Sequence, residues 1–101
     1  MPITLEKIRK ETNKFADATF GKDRPYTSPL HHLKKEVDEL IESGDIMEYA
    51  DCVLLLLDSF NKKYPYFHTD YLLENCVKKI EINKTREWGK PDKNGIISHI
   101  K

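Results

Sequence analysis

Only Ser43, Gly44 and Asp45 separate two stretches whose apolar residues recur at helical spacing, and so short a connection folds the two helices back along each other. Before the turn, Leu30, Leu33, Val37, Leu40 and Ile41 mark one face, with Ser28 placed to cap, Pro29 at the first helical position and Gly44 as the stop. After it, Asp45 is placed to cap a helix reaching about Lys63. The apolar residues of that helix, from Ile46 to Phe60, cover more than half its circumference. Such a helix is packed from more than one direction.

The rest of the chain predicts two more helices. One runs from about Thr4 to Ala18, with Leu5, Ile8, Thr12 and Phe15 on one side, and ends at Gly21; residues 21–28 read as a polar loop. The other opens at Thr69 or Asp70, after Pro65 has stopped its predecessor, and carries Leu72, Leu73, Cys76, Val77 and Ile80. From Gly89 the chain reads as a tail, with Pro91, Asp92, Asn94 and Gly95 as turn residues and Ile96, Ile97 and Ile100 available to pin its end to a neighbouring surface. No alternating strand pattern competes. The expectation is an all-α, four-helix-bundle-like single domain over residues 1–101, with 89–101 as its tail. A domain of this length buries only a modest fraction of its surface, so a second subunit packing its helices against the first would help it.

Charge narrows the partners. Lys plus Arg and Asp plus Glu both number 17, which gives no field for gathering polymeric nucleic acid or an anionic membrane. The longest apolar run, Val53 to Leu57, is too short to span a bilayer, and the N-terminus lacks an apolar signal core, so a cytoplasmic protein is expected. Cys52 and Cys76 sit within apolar helical patterns and read as buried small hydrophobes rather than a disulfide or metal pair.

The chemistry lies in the hairpin. Glu36 and Glu39 are three apart on its first helix, and Glu48 and Asp51 three apart on its second, so each pair projects from neighbouring positions. Measured from the turn, both pairs stand at matching heights, and the four acids can line one cleft. So placed, they would repel one another by several kcal/mol at low effective dielectric, a cost that a hard divalent cation such as Mg²⁺ relieves. The same acids would also serve as solvated positions in a chain this highly charged.

A second stripe combines Lys79, Asn83 and Arg86 at i, i+4 and i+7 of the last helix, suited either to phosphate or to water, with Trp88 beyond it as a cap on the core. His32 precedes Glu36 by one turn and could reach the same cleft as a base contact or a donor to phosphate, whereas His31 points elsewhere; the two also read as a surface histidine pair. Asp58 is either an orienting partner, for Lys79 or for a ligand, or a solvated acid. Phe15, Phe20, Arg24 and Tyr26 offer stacking planes and donors for a base, although Phe15 reads first as core.

Glu36-Val-Asp-Glu39 followed by Glu48-Tyr-Ala-Asp51 resembles the ExxE…ExxD metal motif of the all-α nucleoside triphosphate pyrophosphohydrolases. From His31 to Arg86 the blocks HLKKEVDEL, EYADCVLLLLD and KIEINKTREW look most like the MazG-like branch associated with dATP/dGTP diphosphohydrolases, many of them from bacteriophages. The tail GIISHIK extends the likeness, while Lys35 stands where a doubled acid often opens the first motif.

The resemblance implies a MazG fold in an obligate homo-oligomer, a homodimer or homotetramer, located in the host cytoplasm if the chain is phage-encoded. It implies Mg²⁺, with Mn²⁺ able to substitute, held by Glu36, Glu39, Glu48 and Asp51, with Lys79, Asn83 and Arg86 at the phosphates or around the metal. A (deoxy)nucleoside triphosphate, dGTP or dATP, would yield the monophosphate and pyrophosphate, with Glu39 or Glu36 accepting the proton of the attacking water. Two alternatives stand beside it: a pyrophosphohydrolase of another nucleotide, such as a pyrimidine deoxynucleotide or phosphoribosyl-ATP, and a non-catalytic helical dimerisation module.

Overall fold

Four helices follow one another in a computed structural model that describes residues 2–100: α1 (Leu5–Phe20), α2 (Thr27–Ser43), α3 (Ile46–Lys63) and α4 (Thr69–Lys84). No strand occurs among the described residues, apart from one isolated antiparallel bridge between Trp88 and His99. The chain divides into two compact units, Met1–Thr69 and Asp70–Lys101.

In the first unit, α3 packs against both α1 and α2. The α2–α3 turn is as tight as the spacing predicts. Gly44 takes the left-handed conformation (φ 62°) that closes a helix without a Cβ clash, its N–H donates to Leu40 O at 2.8 Å, and the Asp45 side chain accepts from Met47 N–H at 3.3 Å. At the start of α2 the structure departs from expectation. Tyr26 is already helical (φ −60°, ψ −21°) and the Ser28 N–H donates to Pro25 O at 3.1 Å, so the chain turns into the helix before Ser28, which caps nothing.

The core of this unit lies around the C-terminal half of α3, where five successive residues, Leu57 to Asn61, are buried. Leu57, Phe60 and Ala16 supply its apolar part. The polar members are each satisfied: Ser59 Oγ donates to Tyr26 O at 2.8 Å, and Asn61 donates to Arg9 O and accepts from the Arg9 guanidinium, both at 3.2 Å. Arg9 is also paired with Glu6, whose carboxylate accepts the Thr69 N–H at 3.0 Å at the end of this unit. These bonds, the Arg9 bond foremost, hold the Glu6 carboxyl down at about 2.

Toward its N-terminus α3 is a different helix. Ile46 is 73% exposed, and Met47, Tyr49, Val53 and Leu56 are exposed as well. The wide apolar surface read from the sequence is present, but within one chain α1 and α2 cover only part of it. Phe15, expected in the core, is 62% exposed, because Thr12 and Ala16 occupy the side of α1 that turns inward.

The second unit holds α4 and a hairpin-like return. Gly89 N–H donates to Ser98 O at 2.9 Å and Ile100 N–H to Glu87 O at 2.7 Å. Asp92 Oδ1 accepts from the N–H groups of Asn94 and Ile96, and Gly95 completes the turn at φ 78°. Trp88 belongs to this hairpin and not to a core: it is 44% exposed, its indole N–H donates to Asn83 O at 2.9 Å, and its ring meets His99 edge-on. Cys76 is exposed and Cys52 half-buried, so neither is the fully buried small hydrophobe the pattern suggests.

Candidate metal centre

Because Gly44 and Asp45 alone connect α2 to α3, the acids on the facing flanks of the two helices come level with each other. Glu36, Glu39 and Glu48 each bring one carboxylate oxygen within 4.8 Å of the others. Asp51 stands outside that group and lines, with Glu36, the adjoining cavity between the three helices of the first unit.

Like charges this close are costly, and the structure records the cost. A hydrogen bond to Glu39 is the main reason that the Glu36 carboxyl is held above its ordinary range; burial and the Glu39 and Glu48 charges add to this, and His32 opposes it. His32 Nε2 lies 3.2 Å from Glu36 Oε1, one turn away on α2. Glu48 Oε2 is buried and has no hydrogen-bond partner among the described residues. A buried, unsatisfied carboxylate oxygen beside two other carboxylates is a donor set for a hard divalent cation, which would offset their repulsion and satisfy the orphan oxygen. Burial chiefly, and then Glu36, Asp51 and Glu48, push the Cys52 thiol up, away from nucleophilic chemistry.

The adjoining cavity, about 190 Å³, is lined by His32, Glu36, Asp51 and Asp58 on its polar side and by Phe15, Phe20, Leu54 and Leu55 on its apolar side. Phe15 and Phe20 meet edge to face, with centroids 6.0 Å apart. Asp58 is no solvated acid: its carboxylate is taken by Arg24, at 2.7 and 3.2 Å, where the sequence suggested Lys79. Nothing local signals that pair, since its members are 34 residues apart and Arg24 lies in a polar loop. The donors of Arg24, expected to be available to a base, are engaged with Asp58, Asp17 and Gly21 O. Lys79, Asn83 and Arg86 lie on or just beyond α4, in the second unit, where Arg86 shares a 3.2 Å hydrogen bond with His99 Nδ1. His31 borders a separate groove with Leu30 and Val37.

Comparison with known proteins bears on this arrangement. The family model for dATP/dGTP pyrophosphohydrolase matches residues 8–101. The Eaa protein of Salmonella phage P22 is 35% identical over 96 residues, which cover 95% of this chain and 30% of that protein; the chain thus spans about a third of the curated relative's length. Among solved structures, the MazG-like pyrophosphohydrolase of cyanophage S-2L, bound to dGDP and three catalytic Mn²⁺ ions per active site, superposes with a TM-score of 0.78. It is 28% identical, and the match covers 100% of this chain and 97% of that one. The four helices are therefore an all-α MazG-like fold, and with a family match running from within α1 to the end of the chain, this protein belongs to the dATP/dGTP pyrophosphohydrolase family.

Proposed function

We propose that the chain, acting as one domain over residues 1–101, hydrolyses purine deoxynucleoside triphosphates, dGTP or dATP, to the nucleoside monophosphate and pyrophosphate. The observation that carries this reading is the convergence of Glu36, Glu39 and Glu48, with the buried oxygen of Glu48 unpartnered among the described residues, beside a cavity with an aromatic wall. Family membership supports the reaction class, and the dGDP and Mn²⁺ of the cyanophage relative support a purine deoxynucleotide and a divalent ion.

Glu36, Glu39 and Glu48, with Asp51 at the rim, hold Mg²⁺, for which Mn²⁺ can substitute. When bound, the ion supplies positive charge that neutralises the acids and polarises phosphoryl oxygens. Glu39 or Glu36 accepts the proton of the attacking water, whose oxygen bonds to the α- or the β-phosphorus as the bridge between them breaks, with the electron pair leaving on the other product. His32, held beside Glu36, donates to a phosphate oxygen, and Lys79, Asn83 and Arg86 take the remaining phosphate contacts, a role that rests on their donor chemistry. Phe15 and Phe20 offer the base an apolar edge. The exposed apolar residues of α3 favour a homodimer or homotetramer, and a phage origin like that of the P22 relative would put it in the host cytoplasm.

The test is hydrolysis of all common nucleoside triphosphates with and without Mg²⁺ or Mn²⁺, with products resolved and the oxygen traced from labelled water. Metal-dependent release of pyrophosphate, fastest with dGTP or dATP and lost in Glu39→Gln and Asp51→Asn, is the expected result. Turnover of a pyrimidine nucleotide or phosphoribosyl-ATP instead would reassign the substrate. No turnover with any nucleotide, in a chain that still self-associates, would leave a dimerisation module.

A further inference from the structure

Asp58 is 3% exposed on α3 and forms part of the wall of the cavity that Glu36 and Asp51 also line. A carboxylate this buried persists only with a partner, and it has a forked one: Arg24 NH1 at 2.7 Å from Oδ2 and NH2 at 3.2 Å from Oδ1. The same guanidinium reaches the last turn of α1 through Asp17 and the Gly21 carbonyl, and its central carbon lies 5.8 Å from the centroid of the Phe20 ring. Lys62 of α3 reinforces the junction through Asp17 and the Lys22 carbonyl.

What this junction holds in place is exposed. Phe20 is 53% accessible and Phe15, edge-on to it, 62%, yet both line the cavity. Packing would have buried those rings, so a buried, fully bonded ion pair behind an open aromatic edge is poor economy for stability alone. It suits an edge that must stay at a fixed position to receive a flat ligand.

We propose that Arg24 and Asp58 are positioning residues that fix the Phe15–Phe20 edge against the nucleobase, so that they set nucleotide affinity and not the rate of the chemical step. This rests on the pyrophosphohydrolase reading. Arg24 touches no substrate; it acts through Phe20.

The experiment compares wild type, Arg24→Lys, Phe20→Leu and the double variant in the preferred nucleotide, with Asp58→Asn as a second route to the same break. Each is also assayed for binding of the product monophosphate and, separately, of Mn²⁺ alone. Arg24→Lys, which keeps the charge and loses the fork, is expected to raise KM and the monophosphate Kd about tenfold, with kcat within about twofold and Mn²⁺ affinity unchanged. Added to Phe20→Leu, it should cost little more, because the two act in series.

The proposal is overturned if Arg24→Lys and Asp58→Asn lower the melting temperature while KM and Kd stay put, if kcat falls as far as kcat/KM, or if the Arg24 and Phe20 losses add in full. A wild type whose monophosphate affinity falls in Arg24→Lys as described but which hydrolyses nothing would sink the catalytic reading and keep this one. A wild type that neither binds nor hydrolyses any nucleotide would sink both.

Discussion

Glu48 and Asp58 stand ten residues apart on one helix, about 15 Å along its axis, and meet the cost of burial in opposite ways. Asp58 is matched by a forked guanidinium, within a stretch of α3 whose polar neighbours all have partners. Glu48 has a buried oxygen with no hydrogen-bond partner among the described residues and two carboxylates for company. One end of α3 is therefore finished by the fold itself, whereas the other carries an unmet electrostatic demand of the kind that a bound cation satisfies. The same division runs through its apolar residues, with Leu57 and Phe60 enclosed and Ile46, Met47 and Val53 left in the open.

The comparison breaks first at Glu48. Glu48→Ala is expected to lower metal-dependent kcat/KM about 10⁴-fold, roughly 5.5 kcal/mol, while leaving the metal-free melting temperature level or raised, since it removes a repelling charge. A large loss of metal-free stability would mean that Glu48 is a structural acid like Asp58. Asp58→Ala should do the reverse: losing the forked partner, with Arg24 left to Asp17 and the Gly21 carbonyl, is expected to cost about 2–3 kcal/mol in denaturant unfolding, whatever the metal concentration.

Glu6 extends the finished end to Thr69 and gives it a pH signature. Its folded value of about 2 lies below the ordinary 4.5, so its stabilisation is complete above pH 4.5 and is lost as pH falls from there toward 2. Glu6→Gln should lower stability by about 2 kcal/mol at neutral pH, and its difference from wild type should shrink across that acid window. Parallel curves down to pH 2 would place the loss elsewhere. The smallest effect on the isolated chain belongs to the open end: Met47→Lys should change monomer stability by no more than about 0.5 kcal/mol. If the exposed face of α3 pairs copies, the same change should shift light-scattering mass toward the monomer. An unaltered mass would move the interface off that residue.

Local pattern carried much of this far. The periods of the four helices, the Gly44–Asp45 turn and the level placement of Glu36, Glu39 and Glu48 depend on a rise and a rotation per residue that adjacent letters specify. The misreadings share a cause. Phe15 and Trp88 are large and apolar, and hydrophobicity alone assigned them to cores. Which residues a neighbouring helix covers is a matter of docking: Thr12 and Ala16 are small enough to let α1 approach α3, and that approach leaves Phe15 outside.

The sequence by itself determined the helices, the tight hairpin and the set of acids it brings level, because each of these is fixed by residues within a few turns of one another. Tertiary structure alone decided that Arg24 closes on Asp58 across 34 residues, that Glu6 accepts the Thr69 N–H across 63, and that Glu48 is left with an oxygen unanswered among the described residues. Those outcomes turn on desolvation, which has no local signature: a carboxylate reads the same in the sequence whether the fold gives it a guanidinium, a backbone N–H or only other carboxylates.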